Sequence, residues 1–207
     1  LNNQSRSLYW VVASPAPTPG GGTVSAFVGA LATCLATMVA NLTIGKKKYA
    51  ASEAAMADLK REAAVLRGEL LGLGRRDSEA FDAVLAARKL PQATPDEQAS
   101  RVAAIAAADL QAARVPLETV RACTRVVVLA ATAARQGNVN AVTDAGVAGL
   151  LAQAGGEGAA LNVEINLKSL PDGADKEAVA ADLESARSAL LAAGGHCRDA
   201  VRSGMSA

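Results

Sequence analysis

The 207-residue chain is the size of one domain, and its 51% hydrophobic content is enough for a buried core. Because only 2% of the residues are aromatic, that core must be built from Ala, Leu and Val, which favours packed helices over a sheet. The net charge of +1 gives no electrostatic footprint for nucleic acid, so no nucleic-acid partner is expected.

The cysteines and the histidine indicate the compartment and argue against a metal site. Cys34, Cys123 and Cys197 are odd in number, widely spaced and not part of a CxxC pair. This usage is typical of reduced thiols, which predicts a cytoplasmic protein without a disulfide framework. The chain has one histidine, His196, so no zinc site is expected.

The N-terminal part predicts an irregular segment followed by an apolar helix. Residues 1–14 are interpreted as irregular and residues 15–207 as the helical domain, which opens with a proline cluster that ends at Pro19. The next stretch, from Thr23 to Ile44, carries no charge and is long enough to span a bilayer. No second span follows, so we interpret it as a fully buried central helix reaching about Lys47, and a single-pass membrane anchor is the alternative.

A second helix is predicted over residues 51–90. Its apolar side chains recur at alternating spacings of three and four, which is typical of a helix packed on other helices, at Met56, Leu59, Ala63, Leu66, Leu70 and Leu73. Gly72 and Gly74 predict a bend, because glycine is a weak helix former. Beyond the bend the seam reaches Asp77, Ala80 and Val84.

The rest of the chain predicts four more helices, all bounded by proline, glycine or caps. Thr94 and Glu97 form a capping box around Pro95, which predicts a helix start. The expected helices run from there to residue 115, from Pro116 to about 137, from about 140–144 to an interruption at residues 155–158, and over 176–193. Residues 161–168 alternate as a strand would, but no partner strand exists, so we predict helix there.

Asp77 is the main candidate for chemistry. It occupies a seam position where an apolar side chain is expected, and a carboxylate held against apolar surface has a raised pKa that suits general acid/base work. The alternative is that the two nearby glycines break the helix and Asp77 caps the next one. Spacing alone leaves both interpretations open.

Several short runs occur in the order found in one known enzyme family: Pro17–Gly22, Asn41–Tyr49, Asp77–Phe81, Lys89–Pro91, Val115–Leu117, Gly137–Asn138, Thr143–Ala148 and Ala160–Val163. Over roughly Pro15 to Leu170 the chain resembles the formiminotransferase-cyclodeaminase family, including the free-standing methenyltetrahydrofolate cyclohydrolases. The resemblance implies an all-helical homodimer with a folate site between helices. It also implies that Asp77 is the catalytic residue.

The sequence departs from the family pattern in two places. Residues 1–12 do not resemble the amphipathic helix that usually precedes the glycine turn. Arg75 and Arg76 stand where the family tends to be acidic or apolar, and either would stabilise the ionised form of Asp77 if it folded back onto it.

The remaining site candidates each have a structural alternative. Gly20, Gly21 and Gly22 form either a flexible turn or a substrate contact at a helix start, and the family pattern favours the contact. Lys46, Lys47 and Lys48 either complement the helix dipole or hold the glutamate tail of folate. Asp144 is either a cap or the partner of the pterin amino-pyrimidine edge, and Asn162 either cross-links the core or lines the cleft.

The resemblance implies a folate enzyme that needs no metal or organic cofactor beyond its tetrahydrofolate substrate. Cyclohydrolase is the first choice, because no transferase domain is attached, and cyclodeaminase is the alternative. A third possibility is a non-catalytic helical dimerisation module, against which the intact surroundings of Asp77 argue. We expect a folate-binding homodimer with no membrane partner.

Overall fold

The computed structural model describes residues 9–206. Over this range the chain is an all-helical bundle with no strand, which confirms the predicted all-α class. Its long helices are α1 (Gly21–Asn41), α2 (Glu53–Arg88), α3 (Pro95–Gln136), α4 (Val142–Leu167) and α5 (Ala174–Met205). Two short 3₁₀ turns, Lys47–Ser52 and Val139–Ala141, precede α2 and α4.

The N-terminal segment differs from the prediction in its described part. Residues 9–12 are helical, so the expectation of irregular structure is wrong there, and residues 1–8 lie outside the described residues. The chain then turns through the proline cluster, where the Thr18–Pro19 peptide bond is cis, and enters α1 at Gly21.

Helix α3 is the most central element, because it packs against each of the other four long helices. Helix α1 lies between α2 and α4, and α5 covers α3 and α4. The buried side chains are almost all Ala, Leu and Val, as the composition predicted. Small side chains of this kind allow helices to pack closely.

Helix α1 is a core helix on one side only. It is long and apolar enough to cross a membrane, with a mean hydropathy of 1.8, and 56% of that stretch is buried inside the bundle. Leu31, Met38 and Leu42 are nevertheless exposed, and the helix ends at Asn41 rather than near Lys47. The prediction of a fully buried central helix is therefore wrong for its outer face.

Helix α2 runs without a break through Gly72 and Gly74. All six predicted seam residues, from Met56 to Leu73, are buried. Gly74 makes no bend and lets α2 pack closely on α1, since a Cβ added there would come 3.2 Å from the Phe27 ring. Asp77 therefore lies inside a continuous helix, and the interpretation that it caps a new one is wrong.

Pro116 lies inside α3 and does not end it, contrary to the prediction. A proline has no N–H, so the carbonyl of Ala112, four residues earlier, loses its backbone donor. Asn166 of α4 replaces that donor, since its Nδ2 donates to the Ala112 oxygen at 2.6 Å. A side chain from a neighbouring helix thus allows α3 to continue.

The glycines predicted to interrupt or stop the last two helices lie inside them. A Cβ on Gly155 would come 2.7 Å from the Ser25 carbonyl oxygen, so this glycine lets α4 approach α1. A Cβ on Gly194 would overlap the Gln153 side chain, so it serves α5 in the same way. The predicted capping box of Thr94 and Glu97 is confirmed, and residues 161–167 are helical as predicted.

Candidate active site

A cleft of about 490 Å³ opens at one end of the bundle, within the usual size range of ligand pockets. The segment before α1, the second half of α2, and parts of α3 and α4 contribute its walls. Its lining residues are Pro17, Thr18, Gly20, Gly21, Gly22, Asp77, Phe81, Val84, Leu85, Arg88, Asp109, Ala112, Asn162, Ile165, Asn166 and Ser169. Five of the sequence candidates are therefore brought together: Gly20, Gly21, Gly22, Asp77 and Asn162.

Asp77 reaches the N-terminus of α1 from the seam of α2. The Thr23 hydroxyl donates a hydrogen bond of 2.8 Å to Asp77 Oδ2. The same hydroxyl lies 3.1 Å from the Ser78 hydroxyl. This pairing fixes one carboxylate oxygen, and the cleft borders the rest of the group.

Burial raises the pKa of Asp77 above its ordinary value of 3.8, and hydrogen bonding from the Thr23 side chain and backbone offsets part of that rise. The two arginines before it do not reverse this direction. Arg76 turns away to Glu118, donating hydrogen bonds of 2.6 and 2.8 Å to its two carboxylate oxygens. Among the described residues, Arg75 forms no ion pair with Asp77.

The N-terminus of α1 faces the same cleft. Its N-cap residue is Gly20, and no side chain caps the helix. The N–H groups of Gly21 and Gly22 therefore have no acceptor within the helix, and the helix dipole adds partial positive charge beside them. An oxygen atom of a ligand is the natural acceptor for such groups.

Gly22 allows Asp77 to come this close. A Cβ added to Gly22 would lie 2.7 Å from the carboxyl carbon of Asp77 and would overlap its Oδ1. Asn162 lies on the other side of the turn, where its amide nitrogen would be 3.4 Å from a Cβ on Gly21. Its Nδ2 donates to the Gly158 carbonyl oxygen at 2.9 Å, which holds the amide at the edge of the cleft.

Two charged lining residues, Arg88 and Asp109, are absent from the sequence-based candidates. Asp109 is 5% exposed, and its Oδ1 lies 3.6 Å from Nη2 of Arg88. The signal that identified Asp77 was available here too, because Asp109 precedes the buried Ala113 by one helical turn in an otherwise apolar stretch. Arg88 gave no such signal, since it ends α2 among other polar residues.

The other candidates lie far from the cleft. Lys46, Lys47 and Lys48 follow the opposite end of α1, about 30 Å from Gly21 at the helix rise of 1.5 Å per residue. Asp144 lies in the first turn of α4, about 27 Å from Asn162, where a carboxylate complements the helix dipole. The structure therefore does not bring these four residues into the site.

The residues described, 9–206, contain no group of three or more His, Cys, Asp or Glu side chains arranged to hold a metal ion. The cleft offers a half-buried carboxylate, two free backbone N–H groups, a buried aspartate beside a half-exposed arginine, and apolar walls. A single carboxylate of raised pKa beside free N–H donors is suited to moving protons at a carbon that gains or loses an oxygen or nitrogen.

A family model and several known proteins match this chain. The family model described as formiminotransferase-cyclodeaminase matches residues 5–185. The chain is 45% identical to a methenyltetrahydrofolate cyclohydrolase of Methylorubrum extorquens over 92% of this chain and 89% of that protein. It is 33% identical to a formimidoyltransferase-cyclodeaminase of Rattus norvegicus over 86% of this chain, which spans only 33% of that longer protein.

A solved structure has the same fold. The crystal structure of a formiminotetrahydrofolate cyclodeaminase from Thermotoga maritima superposes with a TM-score of 0.86 and 30% identity, covering 98% of this chain and 96% of that one. The fold, the family model and the sequence identities agree along nearly the whole length. The chain belongs to the formiminotransferase-cyclodeaminase family.

Proposed function

We propose that the chain is a methenyltetrahydrofolate cyclohydrolase, which interconverts 5,10-methenyl- and 10-formyl-tetrahydrofolate. The observation that carries the proposal is the contact between the Asp77 carboxylate and the N-terminus of α1 in the cleft. The relative from Methylorubrum extorquens supports the choice of reaction, because it bears this name and matches along most of its length.

In the hydrolytic direction, the oxygen of a water molecule adds to the cationic carbon between the two reactive nitrogens, and the Asp77 carboxylate takes a proton from that water. The protonated Asp77 then gives the proton to the 5-nitrogen, and the bond from carbon to this nitrogen breaks. The hydroxyl proton leaves to solvent as the formyl C=O forms. Asp77 ends the cycle ionised, as it began.

The free N–H groups of Gly21 and Gly22 suit the oxygen that this reaction adds to the carbon. Two backbone donors at a helix N-terminus stabilise a developing oxygen charge, and removing one such donor typically costs about 100-fold in rate. The Asp77 charge also stabilises the cationic substrate before water attacks. Both contributions act at one carbon atom.

Cyclodeaminase is the second candidate, supported by the likeness to the enzyme from Thermotoga maritima. In that reaction the 10-nitrogen adds to a formimino carbon and loses a proton to Asp77. The same proton then goes to the departing nitrogen, which leaves as ammonia. Both reactions pass through a tetrahedral carbon that bears nitrogen, so one carboxylate serves either.

A side-by-side assay distinguishes the two candidates. We expect hydrolysis of methenyltetrahydrofolate, followed by loss of its absorbance, to have the higher kcat/KM, with little ammonia released from formiminotetrahydrofolate. The opposite ranking would favour the cyclodeaminase. Turnover of neither substrate would exclude both and favour the non-catalytic module.

The pH dependence tests the role of Asp77. The first step needs the ionised carboxylate, so kcat/KM should fall as the pH drops through the raised pKa, and this acid limb should lie above pH 3.8. The sign for stability is opposite. A raised carboxyl pKa contributes stability at acid pH that is lost as the pH rises through it, so ionised Asp77 weakens the fold near neutral pH.

We also propose that the chain forms a homodimer through the outer face of α1. This helix has no charged residue, and its second half exposes Leu31, Cys34 and Met38, with Leu42 exposed just past its end. A row of exposed apolar side chains of this kind is typical of a surface that packs on a partner. We expect light scattering to report a dimer, and Leu31→Glu combined with Met38→Glu to give a monomer; a monomeric parent protein would contradict this.

We propose that the reaction needs no metal or organic cofactor, because proton transfers by one carboxylate are sufficient for it. Activity should therefore survive dialysis against a chelator. Cytoplasmic localisation and the absence of nucleic-acid and membrane partners stay predictions from the cysteine usage and the charge. Cys34 forms no disulfide within the described part of the chain, which suits a reducing compartment.

A further inference from the structure

Asp109, the buried acid of the cleft, has few partners among the residues that the structure describes. Its side chain is 6% exposed, and among the described residues its only ionic partner is Arg88, at a long 3.6 Å. Neither carboxylate oxygen accepts a hydrogen bond from the described part of the chain, yet the residue lines the cleft. A mostly buried carboxylate that opens on a cleft and has few donors of its own is complementary to a ligand that brings N–H donors.

Asp109 and Arg88 together present acceptors beside donors. The Arg88 side chain is about half exposed, so its guanidinium has N–H groups free for the same ligand. The walls beside the pair are apolar, and they come from Val84, Leu85 and Ile165. A flat ring with N–H groups and a carbonyl on one edge matches this arrangement of polar groups between apolar walls.

The spacing between Asp109 and Asp77 along the helices is also compatible with such a ring. Glu118 pairs with Arg76, the neighbour of Asp77, and Asp109 precedes Glu118 by nine residues on α3. At the rise of an α-helix this places Asp109 about 13 Å from the level of Asp77. A bicyclic ring together with a hydrogen bond at each end spans roughly 12 Å.

We propose that Asp109 and Arg88 bind the pyrimidine edge of the pterin ring. Asp109 accepts from the N3–H and the 2-amino group, and Arg88 donates to the 4-oxo group. This inference rests on the proposed folate chemistry and adds the orientation of the substrate in the cleft. The pterin ring lies toward the buried pair, with the bridging carbon at Asp77 and the aminobenzoyl-glutamate tail toward solvent.

The reverse orientation of the substrate, with its glutamate tail at Arg88, fits less well. A glutamate carboxylate placed at Arg88 would lie beside the Asp109 carboxylate, and like charges within a few ångströms repel each other in a desolvated site. The pterin edge carries no charge and brings the donors that Asp109 lacks. Asp109 therefore replaces Asp144 as the candidate for this edge, because Asp144 lies at the far end of α4.

The test compares two ligands on two proteins by isothermal titration calorimetry. The ligands are 5-formyltetrahydrofolate and its analogue without the 2-amino group. We expect Asp109→Asn to weaken binding of the first by roughly 10- to 100-fold, the size expected for a hydrogen-bonded charge. The analogue keeps only the N3–H contact, so it should bind the parent protein more weakly, and the substitution should weaken it by a clearly smaller factor than it weakens 5-formyltetrahydrofolate.

Two further variants complete the design. Asp58→Asn makes the same substitution at an exposed site of α2 and should leave both affinities unchanged. Arg88→Met removes the donor to the 4-oxo group and should weaken 5-formyltetrahydrofolate while sparing p-aminobenzoyl-glutamate. This second variant tests the site independently if Asp109→Asn loses its native circular dichroism spectrum.

The outcomes separate this inference from the function on which it rests. Equal losses for both ligands, or no loss for either, would overturn the contact with the 2-amino group. If Arg88→Met weakens the binding of p-aminobenzoyl-glutamate, then Asp109 and Arg88 contact the glutamate tail instead. If the parent protein neither binds 5-formyltetrahydrofolate nor turns over either substrate, the proposed function itself fails.

Discussion

Both ends of the bundle carry sequence runs that resemble the family pattern, but their polar groups are paired differently. At the cleft end, Gly20–Gly22 and Asp77 leave backbone donors and a carboxylate oxygen facing open space. At the opposite end, the run from Asn41 to Tyr49 meets Asn138 in a closed network that we term the junction. The difference shows which motif residues are available to a substrate.

In the junction, the side chains of Thr43, Tyr49 and Asn138 all have partners within the protein. The Tyr49 hydroxyl donates to Asn138 Oδ1 at 3.1 Å and accepts from the Val139 N–H at 3.1 Å. Asn138 donates through its Nδ2 to the Leu42 carbonyl oxygen and through its N–H to the Thr43 hydroxyl. A network satisfied in this way has nothing left for a ligand, so these residues connect α1, α2 and α3 to the start of α4.

The cleft end has the opposite arrangement. Asp77 holds one partner, Thr23, and the Gly21 and Gly22 N–H groups have none within their helix. Such a site is less stable than it would be with apolar or paired groups, which is common where a protein performs chemistry. Substitutions at the cleft should therefore cost activity, and substitutions at the junction should cost stability.

The largest expected effect is that of Asp77→Asn on turnover. The amide keeps the size of the side chain but cannot shuttle protons, so kcat should fall by about 100-fold or more. Because burial raises the pKa of Asp77, the ionised form is unfavourable in the fold, and thermal stability at neutral pH should stay equal or rise slightly. Steady-state kinetics and a melting curve measure both.

Asp82→Asn is the matched control, since Asp82 is exposed on the same helix and does not line the cleft. It should change neither quantity. An Asp77→Asn variant with near-normal turnover would remove Asp77 from the mechanism. One with a strongly lowered melting temperature would show that Asp77 has a structural role instead.

Gly22→Ala should have the next largest effect, on activity and not on folding. The added methyl group overlaps the Asp77 carboxylate, so Asp77 must move out of its contact with Thr23. A misplaced catalytic group commonly costs about 100-fold, so we expect a loss of roughly 10- to 100-fold in kcat. Gly72→Ala, where an added Cβ meets nothing within 4 Å, should keep full activity; equal losses in both variants would refute the steric argument.

Asn138→Ala should affect stability and spare turnover. The substitution leaves the Leu42 carbonyl, the Tyr49 hydroxyl and the Asn140 N–H without their partner. Buried groups that lose a hydrogen bond cost about 1–3 kcal/mol, so the free energy of unfolding should fall by about 2 kcal/mol or more. Urea denaturation measures this loss, and a normal kcat per folded protein separates the junction from the cleft.

The fold was largely predictable, and its errors share one physical cause. The capping box at Thr94 and the seam of α2 depend on residues close in sequence, so local patterns were enough. Pro116 and Gly155 were interpreted as helix ends because their local propensity is poor. Each is stabilised by another helix, through Asn166 in one case and close packing against Ser25 in the other, which no local pattern contains.

The candidate site was predictable only in part. Asp77 stood out as a charge in an apolar seam, and the glycines were indicated by their place before a helix. The helix predicted between the glycines and the lysines already implied that its full length separates them, and the structure agrees. The sequence could not show that Arg88 meets Asp109, since that pair forms only when α2 and α3 pack side by side.

The smallest expected effect is that of replacing Lys46, Lys47 and Lys48 together with Ala. In a single protomer these lysines lie about 30 Å from the cleft, so a glutamate tail bound there does not reach them, and the KM should be unchanged. Lys48 lies 5.5 Å from the centre of the Tyr49 ring, so stability should fall by less than about 1 kcal/mol. Kinetics with mono- and polyglutamylated substrates check this. A KM raised only for the polyglutamylated form would show that the lysines bind the glutamate tail. A second protomer would then have to bring them to the cleft.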